Sequence, residues 1–218
     1  MKDQLWWYTA RSGGFVAWGL LAASVLWGLS ISTKALGTRA RPNWLLDLHR
    51  FLGGFAVVFT AIHVLAIMAD SYVHFGLSDV LVPFASAWSP NAVAWGIVAM
   101  YLLIAIEVSS LLRRRIPKRA WRAIHIASFP LYVFSTLHAF MAGTDSSGTV
   151  FTAVAVVVSL AIVILTIRRV NQARRQSRQQ TRTSDPYGLT SASISVVRLR
   201  TRSLNASPGP TWSQSVRG

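Results

Sequence analysis

The chain has 218 residues, 52% of them hydrophobic and 13% charged, with a formal net charge of +15 and no cysteine. The lack of cysteine excludes disulfides, thiolate-ligated haem, covalent c-type haem attachment and cysteine-bound iron–sulfur clusters, leaving histidine as the strong ligand for a redox metal. The positive charge would suit nucleic acid, but the arginines gather at the borders of apolar runs and in a tail without interleaved aromatics, so no nucleic-acid partner is expected.

Several uncharged runs reach the roughly 20 residues that a helix needs to cross a bilayer. Met1–Ser12 is short and aromatic, with Trp6, Trp7 and Tyr8 expected to anchor at the membrane interface. Gly13–Thr33 is the first predicted span and reads as retained rather than as a cleaved signal. A basic loop with Lys34, Arg39 and Arg41 leads to the second span, Trp44–Ala69. Asp70–Pro90 contains no Lys or Arg and leads to the third span, Asn91–Leu112. The most basic loop follows, with Arg113, Arg114, Arg115, Lys118, Arg119 and Arg122, then the fourth span, Ala123–Ala142. A short loop with Asp145 precedes the fifth span, Thr149–Ile167, which Arg168 and Arg169 stop.

Basic loops alternate with loops lacking Lys and Arg. The positive-inside rule therefore predicts a multi-pass protein of the cell membrane, N-terminus outside and C-terminus in the cytoplasm. Lys2 and Arg11 pull weakly the other way. The expected fold class is all-α: an integral membrane bundle of about five transmembrane helices with a disordered, basic C-terminal tail. Two regions are predicted, a membrane domain over residues 1–170 and a cytoplasmic tail over 171–218. The tail carries eight arginines and Asp185, and its low apolar content predicts disorder, with arginines resting on anionic lipid. It is too short to form a flavin or nicotinamide domain of its own.

The second span carries His49 and His63, and the fourth carries His125 and His138. A polar ring in hydrocarbon needs a partner, so four such histidines call for a shared reason. The two spans are separated by one other and so run parallel. Topology thus pairs His49 with His125 near the cytoplasmic side, and His63 with His138 near the outer side. Each pair is a bis-imidazole set suited to a low-spin b-type haem, an inner one and an outer one. The steps from His49 to His63 rise about 21 Å and those from His125 to His138 about 19.5 Å, so the two irons would lie at two matched depths. His49 and His63 share a helix face, whereas an ideal straight helix would turn His125 and His138 about 140° apart. Pro130 lies between them and predicts distortion over Ser128–Phe134.

Other residues are singled out with less to decide them. Gly53 and Gly54 could admit a flat macrocycle or serve helix packing. Arg50, Arg119 and Arg122 could pair with haem propionates at the inner site, or merely obey the positive-inside rule; Arg11 is the corresponding cation near the outer site. Glu107 is expected to bridge to Arg113 or Arg114. His74 reads as an exposed loop histidine which, if functional, would bind a metal substrate or a proton near the outer pair.

The stretches LHRFLGG with His63, FGLSDVLVPFAS, SSLLRRRIPKRAWRAIHIASFPLYV and LHAFMAGTD resemble the ferric reductase-like transmembrane domain, over about Trp6–Arg169. That family is shared with NADPH oxidases and the haem subunit of the periplasmic methionine sulfoxide reductase. The resemblance implies two b-type haems on His49, His63, His125 and His138, with electrons passing from the cytoplasmic to the outer face. It also implies a membrane component of an oxidoreductase that takes flavin only through a partner, if at all. Electrons would come from a cytoplasmic flavoprotein reductase or from membrane quinol, and go to a periplasmic or extracellular acceptor. Two other readings stand beside this one: a quinol-linked cytochrome b-type subunit, and a transporter or scaffold without haem.

Overall fold

In the computed structural model, residues 2–35, 42–71, 73–143 and 148–183 are described. Arg39 and Arg41 of the first basic loop, Asp145 and the tail from residue 184 onward lie outside them. The described residues form helices α1 (Lys2–Thr33), α2 (Pro42–Ala69), α3 (Leu77–Leu81), α4 (Pro90–Leu111), α5 (Lys118–Ile126), α6 (Ser128–Ala142) and α7 (Thr149–Thr183). No strand occurs among them. Five stretches are long and apolar enough to cross a membrane: Gln4–Thr33, Asn43–Ala69, Pro90–Leu111, Lys118–Ala142 and Thr149–Gln179. The protein is therefore a multi-pass, all-helical membrane protein.

These helices form because apolar runs free of water must satisfy their backbone internally. Their limits follow local chemistry. Pro90 starts α4 at a position where its missing N–H costs nothing. The run ends at Leu111, where three consecutive arginines meet the headgroup zone. The N-terminal aromatic stretch forms the first turns of α1.

The fourth span is two helices. α5 ends at Ile126 and α6 starts at Ser128, with the break at Ala127. Pro130 has no N–H to offer the Ile126 carbonyl four residues earlier, so the interruption falls just ahead of the stretch expected to be distorted. The proline itself sits in the first turn of α6, where it is tolerated. At the break the Ala127 N–H turns to the Ile124 carbonyl, a tighter three-residue bond.

The chain divides into two units after Gln172. The first unit, Met1–Gln172, holds the spans. Its core takes Trp18, Leu21, Ala22, Val25 and Leu29 from one stripe of α1, Ala56 from α2, Ala99, Leu103 and Ile106 from α4, Leu131 and Tyr132 from α6, and Ala155 and Ile162 from α7. Ala56 is wholly buried, a small side chain that lets helices approach, as membrane interfaces favour. Trp18 ties three helices: its ring lies near Tyr132 and Phe151, and its Nε1–H donates to Thr136 Oγ1 at 3.0 Å. Large aliphatic residues such as Leu65, Ile104, Val157 and Ile164 face outward, as lipid contact demands. The second unit, Ala173–Gly218, begins helically and stays so to Thr183. The boundary expected at residue 170 thus falls inside a helix, because Gln- and Arg-rich sequence has good helix propensity even without a core.

Candidate functional site

Helices α1 and α2 run antiparallel and set the two α2 histidines in matching surroundings. The His49 Nδ1 lies 3.1 Å from the Ser24 carbonyl and 3.2 Å from its hydroxyl. The His63 Nδ1 lies 2.6 Å from the Ala10 carbonyl. On α4, the Ala92 carbonyl sits 2.8 Å from the His138 Nδ1. A carbonyl can only accept, so these Nδ1 atoms carry the proton, leaving Nε2 with its lone pair. This is the arrangement that metal-binding histidines commonly use to fix ring orientation and tautomer.

Each of the three acceptor carbonyls stands four residues before a glycine: Ala10 before Gly14, Ser24 before Gly28, Ala92 before Gly96. The spacing has a physical reason. A helical carbonyl already bonds to the N–H four residues on, and a side chain there would cover its second lone pair. A Cβ on Gly96 would lie 2.7 Å from His138 Nδ1, one on Gly14 would lie 2.9 Å from His63 Nδ1, and one on Gly28 would lie 3.1 Å from His49 Cε1. The glycines are gaps in the helix wall into which the imidazoles fit. The spacing of the two α1 carbonyls, 24 − 10 = 14, equals that of the two α2 histidines, 63 − 49 = 14, so one helix pair serves both depths.

His125 is held differently. Fourteen residues beyond Ala92 and Gly96, α4 carries Ile106 and Ser110, not a glycine gap. The ring stacks instead on Trp121, centroids 4.9 Å apart and planes at 21°, and the Arg113 guanidinium covers the other partner at 4.6 Å from the Trp121 centroid. The buried Trp121 Nε1 and His125 Nδ1 find no hydrogen-bond partner.

The four imidazoles form two pairs. His49 and His125 have ring centroids 6.0 Å apart with planes at 78°; His63 and His138 have centroids 6.2 Å apart with planes at 79°. The break at Ala127 gives His125 and His138 separate helices, which removes the 140° mismatch of a straight one. An iron between two imidazoles is a reasonable fit on distance: two bonds of about 2 Å, with each ring centre about 1.1 Å behind its nitrogen, put the centres about 6 Å apart. The donor set fits at three of the four, since His49, His63 and His138, neutral with Nδ1 engaged, present Nε2. Among the described residues no cluster of three or more His, Asp or Glu could hold a bare metal ion. Each pair could supply two imidazole ligands to the metal of a bound cofactor.

Of the remaining expected residues, Arg50 is exposed and paired with Asp47 at 3.3 Å. Arg119 and Arg122 are exposed on α5. Arg11 lies over the Trp7 ring at 4.6 Å, next in sequence to the carbonyl that serves His63. Gly53 does not face a histidine: it abuts the Glu107 carboxylate, which fills the place of its missing Cβ, while Gly54 has nothing within 4 Å. Glu107 makes no ion pair with Arg113 or Arg114 among the described residues; it turns inward to α2, and Arg113 goes to Trp121 instead. His74 lies in the loop between α2 and α4. The supporting residues Gly14, Gly28, Gly96 and Trp121 were not singled out from the sequence. The available signal was a glycine four residues after Ala or Ser on the helices flanking the histidine spans.

Over residues 6–136 the chain matches the family described as Ferric reductase like transmembrane component. The chain belongs to that family. The match takes in His49, His63 and His125 and ends two residues short of His138. Ferric reductase-like domains generally bind haem, and membership points to a role in membrane electron transfer alongside redox partners. No curated protein and no solved structure matches the chain.

Proposed function

We propose that this ferric reductase-like protein carries electrons across the membrane between two b-type haems, the inner held by His49 and His125 and the outer by His63 and His138. The observation that carries the reading is the pair of histidine couples, each spaced for an iron and lying about 21 Å apart along α2. When bound, a bis-histidine haem supplies a one-electron iron couple with no open coordination site, which favours electron transfer over oxygen chemistry. The chain's own part is to hold the rings rigidly and keep the couple in low dielectric. Ser24, Ala10 and Ala92 fix three tautomers, and the glycine gaps fix three ring planes. Arg50 and Arg122, exposed near His49 and His125, supply positive charge for the carboxylates of the inner group; Arg50 would first leave Asp47. The excess of Lys and Arg in loops one and three and in the tail supports an orientation with the C-terminus in the cytoplasm. Electrons then enter at His49 and His125 and leave at His63 and His138 toward an acceptor outside.

Purified protein should contain about two b-type haems per chain, and His63→Ala or His125→Ala should each leave about one. Haem-free protein that remains folded would end the proposal in favour of a transporter or scaffold. The near-perpendicular planes within each histidine pair would also leave a mark on a bound haem. The oxidised protein is expected to give strongly anisotropic low-spin signals in electron paramagnetic resonance, as crossed imidazole planes leave the iron orbitals nearly degenerate.

A further inference from the structure

The segment Val73–Trp88 between α2 and α4 borders an open cavity that the proposed electron path does not use. It is lined by Val73, His74, Phe75, Asp79, Ser86, Ala87 and Trp88 and has a volume of about 400 Å³. Its place in the bundle is fixed by chain connectivity. Helix α2 ends at Ala69, six residues after His63, and Trp88 stands four residues before Ala92, whose carbonyl holds His138. The cavity therefore lies at the end of the bundle that carries the His63–His138 couple.

The walls are secured independently of any occupant. The Tyr101 hydroxyl of α4 donates to the Leu81 carbonyl and pins α3. Ser86 Oγ donates to the Trp88 carbonyl at 3.0 Å and accepts from the Trp88 N–H at 3.2 Å, closing a tight turn. Phe84 and Ser89 are held at φ values of 68° and 40°, in the left-handed region that side chains other than glycine adopt only when their surroundings impose it. This loop is a built shape.

We propose that this cavity binds planar aromatic electron acceptors that carry no net negative charge. Three features define the class. The volume is in the range of small organic ligands and far larger than a bare ion needs. Phe75 and Trp88 meet edge to face, centroids 6.1 Å apart at 75°, and give a π-surface on which a flat ring can lie. The charge lining it is negative: Asp79 spends one carboxylate oxygen on the Gly76 N–H at 2.8 Å and keeps the other, and no Lys or Arg occurs from Asp70 to Pro90. A cationic ring gains from both the indole face and the carboxylate, while an anionic chelate meets repulsion. The His74 imidazole adds a group that can hydrogen-bond a ring nitrogen or oxygen.

Delivery of electrons to this site rests on the two-haem reading; binding does not. N-methylphenazinium is a suitable probe. It takes two electrons, delivered singly, and one proton from the outer solution, giving the neutral dihydro form. Detergent-solubilised protein is dialysed against the oxidised probe, with micelles alone as the blank. Asp79→Asn, which can still accept from Gly76, and Trp88→Ala should each weaken binding about fivefold or more, while Trp88→Phe should retain most of it. Dithionite-reduced protein should then pass electrons to the probe more slowly in the two weakened variants. Its rate with ferricyanide, an anion, should not change. Binding that is undiminished in both variants, or ferricyanide competing for the site, overturns the inference. If the probe binds as expected to a protein without haem, the cavity stands and the electron-transfer reading falls. If haem is present and the probe does not bind, only the cavity assignment falls.

Discussion

Gly96→Ala is expected to reduce haem content from about two to about one per chain without unfolding the bundle. The new methyl would stand 2.7 Å from His138 Nδ1 and 2.8 Å from Cε1, closer than these atoms tolerate. The obstacle is the Nδ1–Cε1 edge of a rigid imidazole, so neither side can yield cheaply. The ring must turn away, which forfeits the bond to the Ala92 carbonyl, about 0.5–1.5 kcal/mol, and adds overpacking of about 1–3 kcal/mol. A ligand displaced by that much no longer closes an axial pair. Gly14→Ala presses on His63 from the opposite side of the same couple and should act alike. Gly28→Ala meets His49 at 3.1 Å and should weaken the inner couple less. Gly19→Ala, with no protein atom within 4 Å, is the control that should load fully. Haem-to-protein ratios from the absorbance of each purified variant decide the matter; full loading of Gly96→Ala would mean that the glycine gap does not position the ligand.

Trp18→Ala is expected to cost substantial stability. The ring bridges α1 to Tyr132 on α6 and Phe151 on α7, and it also carries the hydrogen bond to Thr136. Removing a large core aromatic costs about 3–5 kcal/mol in soluble proteins. Within lipid the transfer part of that figure is small, so the cavity and lost contacts set a value near the low end, about 3 kcal/mol. Trp18→Phe isolates the hydrogen bond. Thr136 keeps its own donation to the Tyr132 carbonyl at 2.7 Å, so no hydroxyl is orphaned and the loss should be about 0.6 kcal/mol, the average for such bonds between membrane helices. Unfolding in mixed micelles of rising denaturing-detergent content measures both, and equal losses for the two variants would contradict the packing account.

The fold was readable because bilayer thickness is a hard constraint: uncharged runs of sufficient length leave few alternatives to five helices. The facing of His49 with His125 and of His63 with His138 followed from counting spans, with no side-chain detail. Pro130 announced a break, and its position a few residues early reflects that proline disables a carbonyl four residues behind it. Glu107 was misjudged because sequence proximity to arginines said nothing about the gap opposite Gly53 on α2. The glycine gaps were hidden for a related reason. Each is defined by a histidine on another helix, 25, 53 or 46 residues away from its carbonyl, and only the packed register reveals it.

The equal spacing on α1 and α2 makes the length between Ala10 and Ser24 unfree. One residue added there would swing everything beyond it by about 100° and shift it about 1.5 Å. A single carbonyl could then still meet its histidine, but not both. Insertions and deletions in this segment are therefore forbidden in a way that substitutions are not, and any lineage that alters one helix's count must alter the other's to match.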